Sequence, residues 1–131
     1  GYESAIGKIS GFRYLTYERN EDYRDKALKL NEIGGKLKFI AKKGDIIGVF
    51  NQGPVVSYFS GRRCKELFCI ETKEDLFAVI NKSDIIVQDG SFALPILAGD
   101  ENNIEKLKLT LNEFFIPEKY SENSILWIRK K

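Results

Sequence analysis

Two apolar runs, 45–50 (DIIGVF) and 54–59 (PVVSYF), flank Asn51-Gln52-Gly53-Pro54, four residues at home in a turn. Neither run alternates, so the pattern predicts an antiparallel hairpin buried on both faces. A third ribbon, 66–71 (ELFCIE), is expected beside it in chain order. Upstream, 8–17 (KISGFRYLTY) is rich in β-formers and reads as a first strand, with a bulge at Gly11. The period then changes. Tyr23, Ala27, Leu30 and Gly34 are spaced by four, three and four, which predicts a helix over 20–33, capped by Asn20 and stopped by Gly34-Gly35. In 36–43 (KLKFIAKK), Leu37, Phe39 and Ala41 alternate with Lys36, Lys38 and Lys42, so a strand is expected with a lysine face.

The second half reads in the same way. Thr72 with Asp75 three residues on is a capping-box pattern and predicts a helix over 73–81, with a strand over 76–80 as the alternative. Residues 84–87 and 92–97 suggest a second hairpin through Asp89-Gly90, with Pro95 making an edge strand. Ile104, Leu107, Leu111, Phe114 and Phe115 form a helical stripe behind an Asp100 cap and predict a helix over 101–115, although 106–111 (KLKLTL) also alternates as a strand would. A strand over 124–129 with Trp127 closes the chain, followed by a basic tail, Arg129-Lys130-Lys131, read as solvated. Together these elements predict a single α+β domain over 1–131. Its sheet is expected to be mainly antiparallel, or a small partly open barrel, of about six to eight strands with two or three helices.

Composition narrows the chemistry. At 43% hydrophobic and 31% charged residues the chain is ordinary for a globular fold, and its net charge of +2 predicts no general attraction to polyanions. Any nucleic-acid contact must come from local clustering. There is no histidine, which removes the commonest general base and zinc ligand from these residues. The two cysteines, Cys64 and Cys69, are expected as free thiols, pointing to a cytoplasmic or other reducing compartment. No apolar run is long enough to span a bilayer, and no signal-peptide pattern opens the chain, so no membrane partner is expected. Nothing in the sequence fixes an oligomeric state.

Three constellations remain. Lys36, Lys38, Lys42 and Lys43 come near Arg62-Arg63 if the ribbons pair in chain order, making a lysine- and arginine-bearing sheet face for phosphates; a lysine-lined edge strand is the plainer explanation. Tyr14, Tyr17, Tyr58 and Tyr120 are candidate surface anchors for a partner, with half-buried core positions and the hydroxyl in water as the plainer explanation. Glu71-Thr72-Lys73 with Asp45 resembles the Asp…Glu-x-Lys core of the PD-(D/E)XK nucleases. That resemblance implies Asp45 and Glu71 as Mg²⁺ ligands and Lys73 orienting the water, though in that family the aspartate strand runs directly into the Glu-x-Lys strand, and here 54–59 intervenes. The segment 91–100 with the closing SILWIRKK is similar to the end of the RNA polymerase subunit eight family, whose double-glycine signature is absent here. The leading expectation is a small non-enzymatic binding module or accessory subunit, able to contact nucleic acid through its basic face and requiring no cofactor. The alternatives are a metal-dependent nuclease and a protein–protein inhibitor or assembly component.

Overall fold

The computed structural model describes residues 21–92 and 94–131, with side chains from residue 29 onward. Its elements in chain order are α1 (Glu21–Ile40), β1 (Ile47–Val49), α2 (Gly53–Ser60), β2 (Lys65–Glu66), α3 (Lys73–Lys82), β3 (Ile85–Asp89), a 3₁₀ turn (Pro95–Leu97), α4 (Glu101–Phe114), β4 (Phe115–Lys119) and β5 (Ser124–Arg129). The five strands form one open mixed sheet in the order β2-β1-β3-β5-β4. β1 is parallel to both β2 and β3, while β5 runs antiparallel to β3 and to β4. The architecture is therefore α+β, with four helices and five strands among the described residues, and the sheet is not closed into a barrel. The expected first strand at 8–17, with Tyr14 and Tyr17, lies outside the described residues.

The register explains the unbroken apolar runs. Ile47 pairs with Ile85 and Val49 with Val87, which in turn pair with Ile128 and Leu126. These side chains belong to one face and pack with Leu30, Ile33, Leu37, Val55 and Val56 of α1 and α2. The residues between them, Ile86 and Trp127, face the other way and pack with Leu76, Ile80, Leu107 and Leu111 of α3 and α4. A parallel centre covered by helices on both faces needs hydrophobic side chains at successive positions. Burial on both faces was legible in 45–50, but the expected hairpin with 54–59 does not form.

The second apolar run is a helix. Val55 and Val56, with Phe59 four residues beyond Val55, make a helical stripe onto the sheet. Pro54 occupies the first turn, where a missing N–H costs nothing, and Gly61 closes the helix at φ 65°. The sheet therefore steps outward from β1 to β2 with α2 on one face. It then returns past β1 to β3 with α3 on the opposite face, as one fixed crossover hand requires.

The strand expected over 36–43 is likewise helical. α1 continues through Gly34 and Gly35 to Ile40, so it is seven residues longer than the predicted 20–33 at that end. Gly34 is there for proximity: a Cβ on it would collide with the Cβ and backbone of Phe59 on α2. Two helical glycines cost roughly 2 kcal/mol in propensity. Burying Ile33, Leu37 and Ala41 outweighs this at roughly 1.5–3 kcal/mol for each large side chain. The alternation that suggested a strand fails at Phe39, which is 91% exposed rather than inward with Leu37.

Three other expectations fare differently. The helices at 73–81 and 101–115 form almost as bounded, with Thr72 accepting from the Asp75 N–H at 3.1 Å and Asp100 from the Asn103 N–H at 3.2 Å. The hairpin through Asp89-Gly90 does not form: Pro95–Leu97 is a 3₁₀ turn, and β3 pairs with β5 instead. Arg129 is no solvated tail. Its guanidinium donates to the Ser83, Ile80 and Asn81 carbonyls at 2.7, 3.1 and 2.9 Å, capping the end of α3.

Candidate anion-binding groove

The C-terminal ends of α1 and α2 meet beside the starts of β1 and β2. After Ile40, the Ala41 N–H still bonds the Leu37 carbonyl at 2.9 Å, and the chain then turns sharply through Lys42–Asp45. The Asp45 carboxylate accepts the Lys42 N–H at 2.8 Å and the Asp45 N–H returns to the Lys42 carbonyl at 3.0 Å. Gly44 sits at φ 93°, a conformation that side-chain-bearing residues avoid. On the opposite rim, the Gly61 N–H closes α2 on the Ser57 carbonyl at 2.9 Å. The buried Ser60 hydroxyl then fixes the Arg62 N–H at 3.0 Å. Arg62 joins the rims by donating Nη2 to the Ala41 carbonyl at 3.1 Å.

Between these rims lies a groove of about 580 Å³. Lys42, Lys43, Arg62, Arg63 and Lys65 line it with a single acid, Asp45. Among the described residues the ion pairs within 4.0 Å involve other lysines, so these five cations have no acidic partner. Two helix C-termini contribute roughly half a negative charge each. Five cations against one carboxylate and those two ends leave an excess of about three positive charges. The nearby backbone N–H groups of Lys42, Asp45 and Ile46 are occupied, the last by the Asp84 carboxylate at 2.8 Å. Whatever enters meets side-chain donors: exposed ammonium groups and the planar fork of Arg63.

Cys64 also lines the groove, with its thiol bonded to the Arg62 carbonyl at 3.7 Å. Burial pushes that thiol's pKa up, despite lowering contacts from Ser57 and Ser60, so it is a poor nucleophile. Next to it on β2, the Glu66 carboxylate accepts the Gly53 N–H at 2.8 Å and anchors the start of α2. Burial raises the Glu66 pKa, against the lowering effect of the Gly53 and Phe68 N–H groups.

The expected basic face is thus partly assembled and is not a sheet face. Lys42, Lys43, Arg62 and Arg63 line one groove, placed there by helix ends and turns. Lys36 lies on α1 and pairs with Glu118 at 3.8 Å, while Lys38 is exposed on the same helix outside the groove lining. Lys65 is the member sequence reasoning missed; its signal is the first position of a strand beginning next to Arg62-Arg63. Of the tyrosines, Tyr58 is exposed, and Tyr120 is half-buried with its hydroxyl donating to Glu118 at 3.0 Å. Burial first, then Glu118, pushes the Tyr120 pKa up to about 12.

The Asp45, Glu71 and Lys73 set is distributed over three surroundings. Asp45 caps the turn in the basic groove, and Glu71 lines a different cavity against α3. Lys73 sits on the first turn of α3, bonded to the Asp100 carboxylate. Lys73 holds that carboxyl well down, at about 2, with help from the Asn103 side chain and N–H. Among the described residues no three or more acids or cysteines gather as metal ligands do. Both cysteines are free. No described helix is long and apolar enough to cross a membrane. Compared with protein-family models, curated proteins and solved structures, the chain finds no match.

Proposed function

We propose that this protein is a binding module that holds the phosphate backbone of a nucleic acid in the groove between the ends of α1 and α2. One observation carries the reading: five cations that have no acidic partner among the described residues converge on one opening in a chain whose net charge is only +2. Lys42, Lys43, Arg63 and Lys65 act as phosphate contacts, and Arg62 chiefly positions the two rims. Such contacts are electrostatic and carry no base information, so binding is indifferent to sequence. Four contacts predict that log affinity falls against log salt with a slope of roughly −3 on a single strand. Fluorescence anisotropy of a labelled oligonucleotide between about 50 and 200 mM salt measures it. Affinity that stays flat across that range, or no binding at its lower end, overturns the reading.

A further inference from the structure

Among the described residues nothing covers Phe39. It stands on the last turn of α1 at 91% exposure, flanked by Lys38 and three residues before Lys42 at the groove rim. Lys38, on that helix, and Lys42, two residues past its end, are both exposed. Leaving a phenylalanine bare beside a cluster of cations gains nothing from the hydrophobic effect in the free protein. It does supply a flat apolar face next to a cationic track. Single-strand binding sites combine these same two parts, a positive groove for the backbone and an aromatic on which a base stacks.

Building on the groove reading, we infer that the ligand is a single-stranded nucleic acid, with one base stacked on Phe39 while its backbone runs past Lys42, Lys43 and Arg63. A duplex keeps its bases stacked on each other and offers none to Phe39. The shape favours a strand over a lipid surface: the cations line a concavity, which a chain can enter and a flat bilayer cannot, and one phenylalanine is a slight anchor for a membrane. Ile46, 40% exposed in the groove, adds an apolar patch against which a sugar or base edge can rest.

The test compares the full chain with F39A, F39W and the double reversal K42E/K43E. The probes are an oligothymidylate of about 20 nucleotides, its duplex with oligoadenylate, and vesicles of phosphatidylcholine with phosphatidylserine. F39A is expected to weaken strand binding about 10-fold, within the range for losing one stacked base, and to leave duplex affinity and the salt slope unchanged. F39W is expected to restore or tighten it. The double reversal should abolish binding to strand and duplex alike. If F39A binds the strand as well as the parent, or loses strand and duplex equally, the stacking role is overturned while the groove stands. If K42E/K43E binds normally, the groove itself is overturned. Vesicle binding that depends on Phe39, with no strand binding, overturns both in favour of an anionic lipid surface.

Discussion

Two cavities flank the short strand β2, and they share Ile46 and Lys65. The larger, about 740 Å³, is walled by Ile70, Ala78 and Val79 and carries Glu71 and Asp75 against Lys65 and Lys82. The smaller, about 580 Å³, has five cations and one acid. Size would choose the first and charge the second. In the larger one, the acids belong to the start of α3 and the segment before it, where negative charge suits the helix N-terminus, and Lys82 lies near the opposite end. The acids there have a local reason, and they balance only by counting Lys65, which both cavities share; without it the groove still holds four cations against Asp45. The groove's cations also gain from two helix C-termini, yet they exceed what those ends and Asp45 can neutralise. That surplus, which the larger cavity lacks, is what the proposal of an anion site rests on.

The largest expected effect separates the two cavities directly. K42E/K43E should weaken oligonucleotide binding by about 100-fold or more, whereas K82E should change it less than about twofold; anisotropy at fixed salt reads both. Equal losses would mean that general charge, not the groove, drives binding. Next comes the seam that brings the groove's rims together. Gly34→Ala forces a Cβ into Phe59 and should destabilise by roughly 1–3 kcal/mol. Gly35→Ala, with nothing within 4 Å, should stabilise by up to about 1 kcal/mol through helix propensity. Denaturant midpoints for the two variants should therefore move in opposite directions.

A third effect concerns α3, the wall of the larger cavity. Asp100 caps α4 and holds Lys73 of α3. Its native carboxyl pKa, about 2, lies below the unfolded value of 3.8, so its contribution is fully present above that value and is lost as pH falls through about 2. Asp100→Ala should lower the urea midpoint at neutral pH, through the lost cap. It should leave anion binding untouched. The smallest effect lies on β2, between the cavities. Glu66 has a raised pKa, so the folded state holds its proton more tightly than the unfolded one. Its contribution is favourable below its ordinary value of 4.5 and is lost as pH rises through the raised one. Glu66→Gln keeps an acceptor for the Gly53 N–H without a buried charge. It should change stability at pH 7 by less than about 1 kcal/mol, with any change stabilising. A large loss would show that the carboxylate's charge is needed at the start of α2.

Local signals were read well where one segment held the whole signal. The caps Thr72 and Asp100, the stripe from Ile104 to Leu111 and the closing strand with Trp127 needed no partner to be recognised. Misreadings came where two periods overlapped in a few residues. Residues 36–41 alternate, but Leu30, Ile33, Leu37 and Ala41 also continue a helical stripe, and burial against β1 and α2 chose the helix. In 53–60 the Pro54 and Gly61 punctuation was present and was outweighed by the β-branched pair Val55-Val56. As for the groove, four of its five cations were named from sequence, but as members of a sheet face. Residues about twenty positions apart become neighbours only because α1 and α2 pack tightly at Gly34 and Phe59 and end at the same level.

The amino-acid sequence by itself settled the α+β class, the caps at Thr72 and Asp100, the two-sided burial of 45–50 and the absence of histidine chemistry from these residues. Each depends on composition or on contacts within a few positions. Tertiary structure decided strand order and direction, the helical fate of 36–40 and 53–60, and which charges share a groove. These are set by competition for the faces of one sheet. A run buried on both sides carries no periodic mark of which neighbour it will pair with, so the choice of neighbour is made only when the layers pack.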